Sequence, residues 1–332
     1  MKKVLLDRTK KFYKANLHCH STNSDGRLTP EQIKEKYMAE GYSIVAYTDH
    51  EHLIDNSHLS DDNFLAITAC EIAIKQYPNQ STLKNLSMKV CHLNLYAKDE
   101  KNVDTPCYNS VYDHFINDDI RNKIVHSCGE YDRQYGPEGI SEIIRIANSN
   151  GFLVSYNHPR WSLENAADYL GYEGLWAVEI YNHGCTSKGM YNYAINAYDD
   201  FLRIGKKMAC TACDDNHNSK DDCFGGFVMI NADSLDYKSI IQAMENHNMY
   251  SSMGPHIHEL YIENMVAYIT VSDAEFVAMS TMGRRVQVQS VNGKECTLKF
   301  DIKESDGYIR FDVVDRLGKR ANTCAYFIDD II

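Results

Sequence analysis

The chain has 332 residues, a formal net charge of −12, 44% hydrophobic residues and 24% charged residues. This composition is typical of a globular protein, and no apolar stretch approaches the roughly 20 residues that a membrane-spanning helix requires. The negative charge argues against nucleic acid as a partner, because nucleic-acid binding depends on clustered Lys and Arg. The apolar run before Asp7 is too short for a secretory signal, so we expect a cytoplasmic protein with no membrane partner.

The first part of the chain alternates strand-like and helix-like segments. The stretch "NLHCH" ends a strand, and "LTPEQIKEKYMAEGYS" predicts a helix that Thr29 caps, with Gln32 completing a capping box and Gly41 ending it. Three further strands are expected over residues 43–50, 64–74 and 88–97. This alternation is typical of stacked βα units around a parallel sheet.

The middle of the chain continues the alternation after a polar interruption. Residues 98–136 are irregular, and we interpret them as a loop or a small helical excursion over one face of the domain. The remaining predicted elements are a helix over 137–151, strands at "FLVSYNHP" and 175–182, a helix over about 187–204, a strand in "KKMACTACDDNH" and a helix over 234–248.

From about Pro255 the pattern changes to an alternation of period two without intervening helices. Segments such as "VAYITVS", "RRVQVQS" and "YIRFDVV" are typical of strands with one buried face. We therefore divide the chain into an α/β domain, residues 1–254, and a small C-terminal all-β module, residues 255–332. The pattern leaves open whether the module shapes the substrate site, contacts a second copy in a homo-oligomer, or acts as a structural buttress.

Residues that can bind metal ions recur at the ends of the predicted strands. In a strand, side chains i and i+2 share a face, so His18 and His20 converge, as do Asp215 and His217. The carboxyl ends of parallel barrel strands open on one face, where active sites are built. The full predicted set of ligands is His18, His20, Asp25, His50, Glu71, His92, His158, Asp215 and His217.

This gathering of imidazoles and carboxylates predicts a metal centre. Such a cluster of ionisable groups is costly unless cations hold it together, and its ligand types suit Zn, Mn or Fe. The set is too large for one ion, so we expect two or three divalent ions, bridged by Glu71, that leave positions for water and substrate. His126 and His183 are reserve ligands, and we expect the remaining histidines on loops or surfaces: His52, His58, His114, His247, His256 and His258.

The motifs "HCHSTNSDG", "TDH", "CE", "CHL", "NHPR" and "DDNH" together resemble, in order and spacing, those of the PHP (polymerase and histidinol phosphatase) superfamily of metal-dependent phosphoesterases. The resemblance covers about residues 14–254. The stretches "FLRIGKKMACTACDDNHN" and "MENHNMYSSMGP", followed by the β module, look like the subgroup that includes a carbamate hydrolase.

This resemblance implies a distorted, seven-stranded, TIM-like βα barrel with a trinuclear centre. It assigns three ligand sets: His18, His20, Glu71 and Asp215 to the first metal; Glu71, His92 and His158 to the second; Asp25, His50 and His217 to the third. Asp49 would then orient His50 or another ligand.

Hydroxide generated between the metal ions would attack a phosphoester of a small metabolite. Arg160 either binds a phosphate oxygen or forms a surface salt bridge. The proton donor for the leaving group is Asp49, His183 or metal-bound water. The alternatives are hydrolysis of a carbamate, ester or amide, and a non-catalytic regulatory module that keeps its ligands for stability. Nuclease activity is disfavoured by the acidic balance.

Overall fold

The computed structural model describes residues 2–77, 88–116, 118–219 and 221–331. Its strands are β1 (Lys2–Leu6), β2 (Lys11–Asn16), β3 (Ile44–Tyr47), β4 (Leu65–Lys75), β5 (Val90–Ala97), β6 (Phe152–Tyr156), β7 (Ala177–Asn182), β8 (Ala209–Cys213), β9 (Phe227–Ala232), β10 (Met249–Ser252), β11 (His256–Glu263), β12 (Val266–Ser272), β13 (Phe276–Thr281), β14 (Val286–Ser290), β15 (Glu295–Asp301), β16 (Tyr308–Val314), β17 (Arg320–Thr323) and β18 (Tyr326–Phe327). Its α-helices are α1 (Pro30–Ala39), α2 (Asp118–Arg121), α3 (Pro137–Ser149), α4 (Ala166–Tyr169), α5 (His183–Ser187), α6 (Ile195–Arg203), α7 (Tyr237–Glu245) and α8 (Ile328–Ile331).

Helix α1 begins as its sequence predicts. The Thr29 hydroxyl accepts a hydrogen bond from the backbone N–H of Gln32, and the Gln32 side chain accepts one from the N–H of Thr29 at 3.0 Å. Pro30 occupies the first turn, where its missing N–H costs no hydrogen bond. Gly41 follows the helix with a φ of 75°, so the capping box and the glycine end are both confirmed.

The predicted mixed α/β architecture is confirmed, but the uniformly parallel barrel is not. Strands β2 to β8 are neighbours in sequence order within one sheet, and β2–β3–β4 and β6–β7–β8 pair in parallel. Strand β5 is antiparallel to both β4 and β6 because it forms a hairpin with β4. Beyond β2 the sheet continues into the antiparallel strand β9, which the sequence analysis did not predict.

The two ends of this run of strands approach each other at one rim. Cys19 and Asn216, which follow β2 and β8, form an isolated parallel bridge. The N–H of Asp215 donates to the carbonyl of His18 at 2.9 Å, and the N–H of His20 donates to the carbonyl of Asn216 at 3.0 Å. Within the described residues β8 has no ladder with β2, so the structure shows an open path of strands that is joined only at this rim, rather than a closed barrel.

The helices cover the sheet where apolar periodicity predicts them, with one exception. Helix α3 buries Ile140, Ile143, Ile144 and Ala147 against the core that lines β4 to β7. The single helix predicted over 187–204 is wrong: α5 ends at Ser187, and α6 begins at Ile195 after a segment that contains Gly189 with a φ of 94°. Among the described residues, no helix combines the length and apolar character that crossing a membrane requires.

The C-terminal part is rich in β structure, as the period-two pattern predicts. Strands β1, β11, β12 and β15 form an antiparallel sheet, while β13, β14, β16 and β17 extend the larger sheet through β10. The N-terminal strand β1 therefore pairs with the C-terminal part through β11. The division at residues 254 and 255 remains a prediction. All eleven cysteines are free, and most are buried.

Candidate metal centre

The nine predicted ligands lie together at the rim where β2 and β8 meet. Their side chains form four overlapping groups, each with ligand atoms within 4.8 Å of one another. The groups are His20, Asp25, His50 and His217; His18, His158 and Asp215; His18, His20 and Glu71; and Glu71, His92 and His158. Because the groups share members, they form one continuous cluster rather than separate sites.

The chain segment after β2 places the first three members. His18 and His20 are completely buried on one side of the extended segment, and Cys19, also buried, packs in an apolar cluster on the other. The turn that follows brings Asp25 back to His20, with 3.9 Å between the Asp25 Oδ1 and His20 Nδ1 atoms. A Cβ atom at Gly26 would lie 2.3 Å from the His20 carbonyl oxygen, so this turn requires glycine.

Glu71 lies at the centre of the cluster, and its side chain is 2% exposed. Its Oε1 atom is 3.2 Å from His18 Nε2, 3.0 Å from His92 Nδ1 and 3.2 Å from His158 Nε2. Its Oε2 atom is 3.3 Å from His50 Nδ1 and 3.6 Å from His20 Nε2. One carboxylate therefore faces five imidazoles, as a bridging ligand would.

Backbone pairing explains how His50 and His92 reach Glu71. The N–H of Glu51 donates to the carbonyl of Glu71 at 2.8 Å, so the segment after β3 lies beside β4 and carries His50 with it. His92 is the third residue of β5, near its N-terminal end rather than a C-terminal end. Because β5 is antiparallel to its neighbours, its N-terminal end lies at the same rim as the C-terminal ends of the other strands.

Asp215 and Asp25 complete the other side of the cluster. Asp215 Oδ1 is 3.1 Å from His20 Nε2 and 3.4 Å from His18 Nε2. Asp25 Oδ2 is 3.4 Å from His217 Nε2, and Asp25 Oδ1 is 3.7 Å from His50 Nε2. Each imidazole on this side thus has a carboxylate oxygen within the distance that a shared cation would span.

Several of these buried atoms lack hydrogen-bond partners, which tests whether the cluster fits a cation. His18 Nε2, both ring nitrogens of His20, His92 Nδ1, His158 Nδ1 and Asp25 Oδ1 are buried without a hydrogen bond within the described part of the chain. Burying unsatisfied polar groups is costly, and imidazole nitrogens and carboxylate oxygens together are ligands that first-row transition metals accept. The residues present therefore fit divalent cations.

Electrostatic coupling across the cluster is strong. Burial disfavours the charged form of His18, but the negative charges of Asp215 and Glu71 outweigh it and raise the pKa of His18 well above its usual value. Burial likewise would raise the pKa of Glu71, but the positive charges of His92 and His18 hold that pKa well below the usual range. Protons and metal ions therefore compete for the same nitrogen atoms.

Glu179 is a buried residue in contact with the cluster that the sequence analysis missed. It lies in β7, is 1% exposed, and its Oε1 atom is 3.0 Å from His18 Nδ1. Its Oε2 atom accepts hydrogen bonds from the backbone N–H of His158 at 3.0 Å and from the Asn182 amide at 2.9 Å. One feature of the sequence could have indicated Glu179, because it is the single carboxylate in the otherwise mostly apolar segment "LWAVEIYN".

Asp49, predicted as a catalytic or orienting residue, is buried and hydrogen-bonded to the turn after His20. Its Oδ1 atom accepts from the Ser21 N–H at 2.7 Å and from the Ser24 hydroxyl at 2.8 Å, and its Oδ2 atom accepts from the Ser21 hydroxyl at 2.7 Å. These contacts fix the turn that carries Asp25. Asp49 therefore supports a ligand, and it does not line the cavity described below.

The other predicted residues outside the ligand set belong to none of the four groups. Arg160 is exposed, and among the described residues it is not part of the cavity lining. His183 hydrogen-bonds the Tyr181 hydroxyl at 3.0 Å and packs against Gly225. His126, a reserve ligand, stacks on Tyr108 with 4.4 Å between ring centroids. Neither reserve histidine joins a metal-type group within the described chain.

A cavity of about 580 Å³ opens onto the cluster. Its floor contains Glu71 and several of the histidines, while Phe115 and Trp161 form an aromatic wall. Phe115 stacks on His50 at 5.0 Å, and Trp161 lies 4.9 Å from both His92 and His158, measured between ring centroids. Residues of the wall that were not predicted include His114, Tyr112, Met88, Val90, Met190, Lys75 and Lys188.

Comparisons with known proteins give short or distant similarities. No family model matches the chain. A segment of 68 residues is 37% identical to a 5'-3' exoribonuclease of Haemophilus influenzae, and the match covers 20% of this chain and 20% of that protein. The chain thus spans about a fifth of that relative's length.

Three solved structures are also similar. One is a two-domain protein from Bacteroides vulgatus that contains a predicted PHP-like metal-dependent phosphoesterase, with 14% identity, a TM-score of 0.47, and coverage of 97% of this chain and 96% of that one. The second is a metal-dependent phosphoesterase from Bifidobacterium adolescentis, with 15% identity and a TM-score of 0.37. The third is an amidohydrolase from Chromobacterium violaceum, with 14% identity and a TM-score of 0.34. Each of these two matches covers 61% of this chain and 87% of the other. One of these three proteins is described as PHP-like, and none is named as a carbamate hydrolase.

Proposed function

We propose that this chain is a metal-dependent hydrolase of the PHP type and that it hydrolyses a phosphoester of a small metabolite. The observation that carries the proposal is the position of Glu71, whose two carboxylate oxygens face five imidazoles within 3.6 Å. A bridging carboxylate surrounded by imidazoles is the arrangement that a multinuclear hydrolytic centre needs.

The overlapping groups support the three ligand sets that the family resemblance implies. His18, His20, Glu71 and Asp215 would hold one cation; Glu71, His92 and His158 a second; Asp25, His50 and His217 a third. His20 also lies within reach of the third set, and His158 lies within reach of Asp215. Bound divalent cations at such a centre lower the pKa of water toward neutrality and neutralise charge on the scissile group.

The chain's own residues prepare the centre for this chemistry. Glu179 and Asn157 hold ligand side chains in place, the latter by donating its amide N–H to Glu71 Oε1 at 2.8 Å. Phe115 and Trp161 cover the imidazoles of His50 and His158 and reduce the access of bulk water. A drier site strengthens electrostatic interactions with the substrate.

A second candidate is hydrolysis of a nucleotide phosphodiester, which the 68-residue similarity to an exoribonuclease favours. The formal net charge of −12 favours a short substrate over a long nucleic acid, because a long polyanion would be repelled. A carbamate, ester or amide remains the alternative electrophile, since polarisation of a carbonyl uses the same kind of centre. A non-catalytic metal-binding module is the alternative from another class.

The test is a substrate panel with protein purified, stripped of metal and reloaded separately with Zn²⁺, Mn²⁺ or Fe²⁺. The panel contains phenyl phosphate, bis-4-nitrophenyl phosphate, dinucleotides and aryl carbamates. We expect turnover of the monoester, and loss of that turnover in the variant Glu71→Gln, which keeps the side-chain shape. Turnover of carbamates alone would show that the chain is a carbamate hydrolase and not a phosphoesterase. If no substrate is turned over with any metal, the non-catalytic metal-binding module would explain the site better.

A further inference from the structure

Lys75 and Lys188 are the lysines that line the cavity, and neither ammonium group has an ion-pair or hydrogen-bond partner within the described residues. No Asp or Glu is among the undescribed residues, so none of their side chains could supply a carboxylate for an ion pair with either lysine. Lysines elsewhere in the chain do find carboxylates, for example Lys89 with Asp168 and Lys206 with Glu173. Two lysines that lack a carboxylate partner within the described residues, both in the cavity of an acidic protein, need an explanation.

Both lysines lie in the lining of the cavity that opens onto the centre. Lys75 ends β4, its backbone N–H donates to the Tyr112 hydroxyl at 3.4 Å, and its ammonium lies 5.3 Å from the Tyr112 ring centroid. Lys188 directly follows α5 and lines the cavity together with His217. The two lysines therefore bring positive charge into one cavity from two separate elements, and that cavity is also lined by Asp25, His50 and His217.

The cavity also presents two large aromatic side chains beside the histidines of the cluster. Phe115 and Trp161 are 44% and 41% exposed, which is high for large apolar side chains. Both rings lie over ligand imidazoles, so a flat group that enters the cavity would contact them before it reached the centre. Exposed aromatic surface in a cavity is typical of a binding site for an organic group.

We propose that Lys75 and Lys188 form an anion subsite beside the metal centre, and that the substrate is an aromatic or heterocyclic ester bearing a second negative group that is not hydrolysed. This inference rests on the proposed function, because it assumes that the scissile group occupies the metal centre. Without the lysines, Asp25, Glu71 and Asp215 would repel a second anion at this position. With them, a carboxylate or phosphate gains charge-assisted hydrogen bonds.

Binding can be measured independently of turnover because the chain has two tryptophans, Trp161 at the cavity and the buried Trp176. Quenching of tryptophan fluorescence in Mn²⁺-loaded protein would report binding of benzoate, benzene-1,3-dicarboxylate and the non-planar cyclohexane-1,3-dicarboxylate. The variant Trp161→Phe should lose the signal. We expect the aromatic dicarboxylate to bind about tenfold more tightly than benzoate, since one charge-assisted contact contributes that much.

The variants Lys75→Met and Lys188→Met should reduce this preference about tenfold or remove it, because each deletes one ammonium group. Lys101→Met is the matched control, since Lys101 pairs with Asp55 outside the cavity. An unchanged preference in both cavity variants would overturn the subsite. So would equal binding of the planar and non-planar dicarboxylates, which would remove the aromatic part of the inference.

Hydrolysis of 3-carboxyphenyl phosphate and phenyl phosphate separates the two proposals. If both are hydrolysed and the lysine variants leave their KM ratio unchanged, the function stands and the subsite fails. If neither is hydrolysed while dicarboxylate binding still depends on the lysines, the subsite stands and the phosphoesterase proposal fails. We expect the lysine variants to raise KM for the carboxylated ester and leave kcat nearly unchanged.

Discussion

The Oε1 atom of Glu179 lies 3.0 Å from the Nδ1 atom of His18, and both side chains are buried. When His18 donates its Nδ1 proton to this carboxylate and loses its second proton to an arriving cation, its Nε2 atom would present an electron pair toward Glu71 and Asp215. A carboxylate behind a metal-binding imidazole fixes its tautomer and orientation and raises its basicity. Glu179 also holds the backbone of His158, so one residue of β7 positions ligands from two other segments.

Replacing Glu179 with Gln should therefore weaken metal binding without unfolding the protein. We expect a loss of about 10- to 100-fold in metal affinity, the range found when such supporting residues are removed. Isothermal titration of the metal-free protein with Zn²⁺ would measure it. Glu142→Gln, on the exposed face of α3, is the matched control. An affinity equal to that of the wild type would show that Glu179 serves only the packing of β7.

The double variant His18→Ala/His20→Ala should lose both bound metal and turnover. Each histidine belongs to two of the four groups, so their removal disrupts the first ligand set and leaves the sets Glu71, His92, His158 and Asp25, His50, His217 in place. Elemental analysis should show at least one fewer ion per chain. His58→Ala changes an exposed histidine and should retain the full content. Unchanged content in the double variant would contradict the assignment of these ligands.

Removal of metal by a chelator should lower the melting temperature. A ligand that binds only the folded state at 100 times its dissociation constant stabilises that state by about 2.7 kcal/mol. Differential scanning fluorimetry before and after treatment with EDTA, and again after metal is restored, measures the shift. The His18→Ala/His20→Ala variant should show a smaller shift. A melting temperature that does not respond to the chelator in wild-type protein would argue against a structurally coupled centre.

Arg133 and Glu51 form a buried ion pair beside the centre, with 2.7 Å between Arg133 Nη1 and Glu51 Oε2. Arg133 Nη1 also donates to the carbonyl of Ala73, and its Nε donates to that of Cys107. Arg133→Met leaves the Glu51 carboxylate buried and unpaired, so we expect a loss of about 3–5 kcal/mol in the free energy of unfolding. Urea denaturation measures this loss.

The double variant Glu51→Gln/Arg133→Met removes both charges and should be less destabilised than Arg133→Met alone. If Arg133→Met lowers the free energy of unfolding by less than about 1 kcal/mol, this buried pair contributes no more than a surface ion pair does. The result bears on the centre because Glu51 directly follows His50 and its N–H bonds the carbonyl of Glu71.

The positions of the ligands were predictable because their spacing depends on local geometry. An extended segment turns His18 and His20 to one face, and a parallel strand order brings separate strand ends to one rim. The direction of β5 was not predictable, since the apolar run "MKVCHLNLYA" reads the same for a strand in either direction. Pairing with β4 decides the direction, and that pairing is a long-range contact.

Residues outside the motifs were harder to place for a related reason. Arg160 follows His158 by two residues, but the chain turns there, with a φ of 27° at His158, and Trp161 lines the cavity instead. Lys75 and Lys188 carried no motif, and only the assembled cavity shows that they face it. Local signals such as the α1 capping box were predictable because they involve residues three apart.

The backbone bonds between His18 and Asp215 join parts of the polypeptide that are almost two hundred residues apart in sequence. Each of these two residues belongs to the group that also contains His158, so that group cannot assemble until strands β2 to β8 have all been synthesised. Contacts of such sequence separation form late, because loop closure must precede them. If the centre binds cations as we propose, uptake of the last ion would therefore require nearly complete folding, and a chain truncated before Asp215 would lack one member of the group that contains His18 and His158.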